Sequence, residues 1–170
     1  MKRLPALLVL CVAAPLCHAQ LSAEQKIVDF QQIAALFAKR YSFLEWKKQA
    51  LNFDGLDLPP WIDRIRKSRD DLEYLEICAE YAAGFKDGHT GLMLPSDFTA
   101  ELPFEADLYG GKALIDWIDR SALPESRYPF AIGDEFVSLG GVPVLEIVRD
   151  LERFLPEGNP RSAQRVATAF

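Results

Sequence analysis

The spacing of apolar residues changes near Pro95, and this change constrains the fold more than any other feature. Before Pro95, apolar side chains recur at steps of three and four residues, as on an amphipathic helix. After it, short apolar runs are separated by Gly110-Gly111 and Gly140-Gly141, which are typical hairpin turns. The pattern predicts an α+β protein, with a small helical bundle over 20–94 and a strand-rich part over 95–170.

Local signals predict where the helices of the first part begin and end. Ser22 and Gln25 have the spacing of a capping box, which places the first helix directly after Ser22. The stretch FDGLDLPP (53–60) predicts a break, because glycine and paired prolines disfavour a helix interior. Helical spacing resumes at Trp61 and continues to Phe85.

The second part contains three strand-like runs, a short strand after the Gly140-Gly141 turn, and two helical segments. The runs are 102–108, 112–118 and 135–139. A helix is expected from Leu145, and Pro160 suits the first turn of a second helix. Trp46, Trp61 and Trp117 are spaced like core positions, although aromatic residues are also typical of carbohydrate-binding surfaces.

The first nineteen residues have the pattern of a cleaved signal peptide. Lys2 and Arg3 precede an apolar run, and small residues occupy the minus-three and minus-one positions before Gln20. The run is shorter than the roughly 20 residues that a membrane span needs. We therefore expect an exported protein, periplasmic or secreted, that keeps no stable membrane anchor after cleavage.

The composition of the mature chain disfavours several classes of partner. Cleavage before Gln20 leaves 17 basic and 25 acidic residues, a net charge of −8, and no basic run. Such a surface repels nucleic acid and anionic lipid. One cysteine and one histidine remain, Cys78 and His89, so a metal site is not expected and no cofactor is predicted. Cys78 lies in an apolar helical pattern and is interpreted as a core residue.

The segment GDEFVSLGGVPV (133–144) resembles a PDZ-like domain of the kind that bacterial exported proteases carry. It matches the family's order of Gly-Asp, a hydrophobic strand, a glycine turn and a hydrophobic-Pro-Val entry to a helix. The resemblance implies that 95–170 folds as a PDZ-like, partly open β-barrel with one or two helices.

The mature chain from Ile27 to Phe170 resembles the N-terminal part of the tail-specific, or C-terminal-processing, serine peptidases. The stretch DGHT (87–90) matches the family's marker before the PDZ-like domain, and GNP (158–160) resembles the segment that leads into its catalytic core. That core would carry the nucleophilic serine and, in many members, a lysine base. None of the eight serines after Gln20 lies in a Gly-x-Ser-x-Gly turn.

Three hypotheses for the function follow. The first is the N-terminal fragment of an exported serine-type peptidase, which recognises a polypeptide substrate and does not hydrolyse it alone. The second is a stand-alone PDZ-like peptide-binding or adaptor protein without catalytic activity. The third is an exported α+β protein whose likeness to the family is accidental.

His89 has three interpretations. The first is structural, with His89 setting a turn together with Asp87 and Thr90. His89 is alternatively the general base for a serine supplied by the core, as the resemblance implies for some relatives, with Asp87 orienting its ring. A metal role is the third interpretation.

The resemblance also implies where a peptide binds. A client's C-terminal strand would add to a sheet edge near Leu102, Pro103 and Phe104. No Gly-Leu-Gly-Phe loop precedes this strand to hold a carboxylate. Val144 and Val148 on the following helix would line the groove or belong to the core.

Overall fold

The computed structural model describes residues 20–92 and 101–169. The expected signal peptide (1–19) and the boundary between the two parts at residues 94 and 95 lie outside these residues. The elements are α1 (Ala23–Arg40), α2 (Leu44–Leu51), α3 (Pro59–Arg66), α4 (Asp71–Gly84), β1 (Phe104–Tyr109), β2 (Lys112–Ile118), β3 (Ser138–Leu139), β4 (Val142–Pro143), α5 (Val144–Glu152) and α6 (Pro160–Ala169). The predicted α+β class is confirmed, and the described strands do not close a barrel.

Two helix starts follow directly from side-chain capping. Ser22 Oγ accepts a hydrogen bond from the backbone of Gln25, and Gln25 Oε1 accepts one from the backbone of Ser22, so the predicted capping box is confirmed. At the start of α4, Asp70 Oδ1 accepts a 2.8 Å bond from the backbone N–H of Glu73. Each cap satisfies N–H groups that have no partner within the helix.

The predicted break is shorter than expected. Residues 52–58 are not helical, but Pro59 and Pro60 lie in the first turn of α3. Proline fits there because the first helical N–H groups have no intrahelical acceptor. The paired prolines therefore begin a helix where their composition predicted an interruption.

Aromatic rings dominate the core of the helical part. Phe30, Tyr81 and Phe85 are fully buried, and Phe37 stacks on Phe85 with ring centroids 4.1 Å apart. Cys78 is fully buried among them, as predicted. Rings in such edge-to-face and stacked pairs add attraction to the hydrophobic effect.

The three tryptophans do not share one environment. Trp61 packs edge-on against Tyr81, with centroids 5.4 Å apart. Trp46 is 57 % exposed and Trp117 is 48 % exposed. The core interpretation is therefore wrong for Trp46 and Trp117.

The helical part also buries two lysines that the sequence pattern did not single out. Lys26 Nζ donates a 2.8 Å bond to the carbonyl of Asp70 and pairs with Asp71 at 3.1 Å, joining α1 to the start of α4. Lys47 Nζ donates a 2.8 Å bond to the carbonyl of Lys86. Both ammonium groups find oxygen partners, which offsets the cost of removing them from water.

The strand-rich part is built around β2. β1 and β2 form an antiparallel hairpin closed by Gly110 and Gly111, whose φ angles are +58° and +84°. This hairpin turn needs positive φ at both positions, and glycine adopts positive φ more readily than other residues do. The predicted turn is therefore confirmed. On its other side, β2 bonds to the segment 133–136, although only one bridge is regular, Leu114 with Glu135. The expected strand 135–139 is thus reduced to that bridge and the two residues of β3.

Helices α5 and α6 cover this sheet. Val148, Leu155 and Ala167 form a buried cluster against which Leu108 of β1 packs. Asn159 Oδ1 accepts a 2.9 Å bond from the backbone of Arg161 at the start of α6, and Pro160 occupies the first turn as predicted. Among residues 20–92 and 101–169, no helix is long and apolar enough to span a membrane.

Candidate functional site

A groove runs alongside β1, which pairs on one side with β2. The other edge of β1 is not joined to any strand of the described chain. One cleft of the groove, of about 670 Å³, lies where β1 begins. Its lining includes Leu102, Pro103 and Phe104, the three residues that the sequence placed beside a bound peptide.

Aromatic side chains form the apolar surface of this first cleft. Phe104 packs edge-on against Phe136, with centroids 5.2 Å apart, and against Phe130, with centroids 5.8 Å apart. Trp117, on the neighbouring strand, also lines the cleft and is half exposed. The cleft therefore presents ring surfaces that a ligand side chain can cover.

A second cleft, of about 640 Å³, continues the groove toward the start of α6. It shares Glu105 and Ala106 with the first cleft, and its other wall includes Arg161 and Arg165 of α6. Arg165 Nε lies 3.0 and 2.9 Å from the two carboxylate oxygens of Asp107 on β1. Hydrogen bonds from Arg165 hold the pKa of Asp107 below its usual range.

Val144 and Val148 lie away from both clefts. Both side chains are buried, and Val148 belongs to the cluster formed with Leu155 and Ala167. Neither valine lines the clefts beside β1. The structure therefore brings Leu102, Pro103 and Phe104 together and places the two valines in the interior.

A separate polar arrangement surrounds His89. Asp87 Oδ1 accepts a 3.0 Å bond from the backbone N–H of His89 and lies 3.0 Å from its ring Nδ1. Asp87 Oδ2 accepts a 2.8 Å bond from the hydroxyl of Tyr41. Thr90 donates from its backbone N–H and its hydroxyl to the carbonyl of Asp87, at 2.8 and 2.9 Å.

These contacts shift the titration of Asp87 and Tyr41. The backbone bond from His89, followed by the bonds from Tyr41 and the His89 ring, lowers the pKa of Asp87 to about 2. Burial, followed by the bond to Asp87, raises the pKa of Tyr41 to about 12. Near neutral pH the pair is therefore a carboxylate and a neutral phenol, each in its hydrogen-bonding form.

The geometry suits both leading interpretations of His89. Bonds from His89 and Thr90 to Asp87 close a turn, which is a structural role. Asp87 also faces ring Nδ1 while the imidazole is 98 % exposed, as a general base held by a carboxylate would be. Within the described ranges, no serine hydroxyl is bonded to the ring, and no group of three potential metal ligands is found.

Three features of the candidate site had little or no sequence signal. Tyr41 has the spacing of an apolar helix position, so its hydroxyl bond to Asp87 was not expected. The pairing of Asp107 with Arg165 joins residues 58 positions apart, beyond the reach of any local pattern. The exposure of Trp117 follows from its place on the rim of the cleft.

Comparison with known proteins identifies one part of the chain. Residues 98–170 match the family model of the PDZ domain, so the match includes β1, both clefts, α5 and α6. No curated protein matches the chain. The domain match supports a peptide-binding or adaptor role, since PDZ domains bind polypeptides by adding a strand to a sheet edge.

Proposed function

We propose that this chain is the substrate-recognition portion of an exported serine-type peptidase of the tail-specific family. Its PDZ domain would bind an extended segment of a polypeptide along β1. The observation that carries the binding proposal is the edge of β1 that no strand of residues 20–92 or 101–169 joins, beside the cleft of Leu102, Pro103 and Phe104. An added strand would gain main-chain hydrogen bonds there, and its side chains would enter the two clefts.

The link to a peptidase rests on the order of features along the chain and on His89. A helical part, the DGHT stretch (87–90) and a PDZ domain follow one another, an order that resembles that family. The contact of Asp87 with Nδ1 supports a role for His89 as general base, because Nε2 would then accept the hydroxyl proton of a serine. A catalytic core, separate from the helical part and the PDZ domain, would supply that serine. We expect these 170 residues to bind peptides without hydrolysing them.

Peptide binding is tested with the chain beginning at Gln20 and a pool of fluorescently labelled, extended peptides. Trp117→Ser removes an exposed ring from the cleft and is expected to weaken binding by about tenfold, equivalent to ~1.4 kcal/mol. Trp46→Ser is the matched control, because Trp46 is similarly exposed but lies on α2. Equal binding by both variants and the parent chain would argue against the groove as the peptide site.

The peptidase proposal is tested by sequencing genomic DNA past the codon for Phe170. A reading frame that continues into a segment with an exposed-serine turn supports it. In the complete enzyme, His89→Ala should then abolish hydrolysis while peptide binding persists. A stop codon at that point, with the short protein present in cells, contradicts it.

Export is tested in the same cells. The proposal expects the protein outside the cytoplasm, with Gln20 as its first residue by mass spectrometry. Recovery of an uncleaved chain in the cytoplasm would oppose the export proposal.

A stand-alone exported adaptor is the second candidate. The turn formed by Asp87, His89 and Thr90 favours it, since each of their contacts also has a structural purpose. In that case His89→Ala would alter stability at most, and peptide binding by the PDZ domain would be the whole function.

A further inference from the structure

The two ends of the groove beside β1 differ in charge. Where β1 begins, the lining contains Glu101, Glu105 and Asp119 and no lysine or arginine. Where α6 begins, the lining contains Arg161 and Arg165 together with the carboxylates of Glu105, Asp107 and Asp116, and Arg165 is paired with Asp107. Among the described residues, the lining of the acidic end therefore offers no cation to offset its carboxylates.

The carboxylates of the acidic end differ in their engagement. Asp119 Oδ1 accepts bonds from the backbone and hydroxyl of Ser121, at 2.8 and 2.6 Å, and these bonds lower its pKa. Asp119 is therefore charged near neutral pH and already has a structural role. The side chain of Glu105 is exposed and makes no hydrogen bond or ion pair within residues 20–92 and 101–169. Glu105 is therefore a carboxylate of this cleft, placed on β1, that is available to a ligand.

Glu105 lies next to an aromatic ring that suits the same ligand. It is paired across the hairpin with Trp117, and directly opposed residues of an antiparallel pair place their side chains near one another. A cation beside Glu105 would meet a carboxylate and the ring of Trp117 together. Tryptophan is the aromatic side chain that attracts cations most strongly.

We propose that the cleft at the start of β1 binds a lysine or arginine side chain of the captured polypeptide. Glu105 pairs with the cationic group, and Trp117 covers it. This inference rests on the proposed peptide binding along β1. A free terminal carboxylate at this end would lie among three acidic side chains without a cation, so it is disfavoured there.

The test uses one extended apolar peptide in three forms, with lysine, norleucine or glutamate at a single position that is moved along the chain. Each form is made with a free and with an amidated C-terminus, and fluorescence anisotropy measures Kd with the chain from Gln20. At the best position, lysine should bind about tenfold more tightly than norleucine at low salt, and about threefold at 0.3 M salt because of screening. Amidation should weaken binding less than twofold.

Two variants locate the effect. Glu105→Gln should remove most of the preference for lysine and leave the Kd of the norleucine peptide unchanged. Glu146→Gln is the control, because Glu146 lies in the first turn of α5, outside both clefts. It should leave both values unchanged.

The outcomes separate the two proposals. If no form of the peptide binds, the proposed function fails and this inference fails with it. If peptides bind but norleucine equals lysine at every position, peptide capture stands and the cationic preference is overturned. A lysine preference that persists in Glu105→Gln also overturns the assignment to this cleft.

Discussion

The hydroxyl of Tyr41 donates a 2.8 Å hydrogen bond to Asp87, although the two residues are 46 positions apart. Tyr41 directly follows α1, and Asp87 lies shortly after α4, so the bond ties the ends of two helices together. The other oxygen of the carboxylate contacts His89. Tyr41 therefore holds the carboxylate of Asp87 in place, and Asp87 in turn orients the imidazole of His89.

Replacing Tyr41 by phenylalanine tests this bond. Tyr41→Phe should lower the free energy of unfolding by about 1–2 kcal/mol, since bonds to charged acceptors contribute more than neutral ones. It should also raise the pKa of Asp87, because one of the bonds that stabilise its charged form is lost. Urea unfolding and a carboxyl NMR titration measure the two effects.

Tyr109→Phe is the control for this substitution. The hydroxyl of Tyr109 lies 3.5 Å from Asp116 at an exposed site, so its removal should cost less than about 0.5 kcal/mol. Equal losses in the two variants would mean that the bond to Asp87 contributes nothing specific.

The lowered pKa of Asp87 predicts a pH dependence of stability. Its pKa is about 2 in the folded protein, below the value near ~3.9 expected for the unfolded chain. A depressed folded pKa gives stability that is present above the unfolded value and lost as pH falls through the folded value. The contribution of Asp87 should therefore disappear between about pH 4 and pH 2.

Urea unfolding across that range compares the parent chain with Asp87→Asn. The variant should lose less stability between about pH 4 and pH 2, because asparagine has no proton to gain. Asp57→Asn, at an exposed position, should follow the parent curve. If the free energy of unfolding of Asp87→Asn fell with pH as steeply as that of the parent chain, the folded protein would not stabilise the Asp87 carboxylate.

Local signals explain which elements were predictable. The capping box of Ser22 and Gln25 and the turn of Gly110-Gly111 act within four residues, and both were predicted. The prediction from the local pattern was wrong at Pro59 and Pro60, because a pair of prolines is compatible with either a break or a helix start. Only the packing of α3 against its neighbours distinguishes the two.

The candidate site was less predictable because its contacts are distant in sequence. Leu102, Pro103 and Phe104 were placed beside the groove by resemblance, and they do line it. The contacts of Tyr41 with Asp87 and of Arg165 with Asp107 have no periodic signal, since each depends on where two separate elements pack. Val148 faces inward for the same reason, since α6 packs against α5 and its Ala167 joins Val148 in the buried cluster.

The buried Lys26 gives a further prediction. Lys26→Met keeps most of the side-chain volume but removes the bonds to the carbonyl of Asp70 and to Asp71. It should lower the free energy of unfolding by about 1–3 kcal/mol, because the partly buried carbonyl of Asp70 loses one of its two donors and Asp71 loses its ion pair. Lys39→Met, on the exposed last turn of the same helix, should change stability by less than about 0.5 kcal/mol. Thermal and urea unfolding of both variants measure the difference, and equal effects would contradict a role for the buried ammonium.

The contact between Gly55 and Phe85 predicts that no larger residue is tolerated at position 55. A Cβ there would lie 2.5 Å from Phe85 Cζ, and that ring is fully buried and stacked on Phe37. Because the ring has no space to withdraw, Gly55→Ala should destabilise the fold by about 1–3 kcal/mol. Gly88→Ala is the matched control, since a Cβ at Gly88 meets no atom within 4 Å and neither glycine has positive φ. Urea unfolding should place the midpoint of Gly55→Ala well below that of Gly88→Ala, and coincident midpoints would mean that the ring moves aside at little cost.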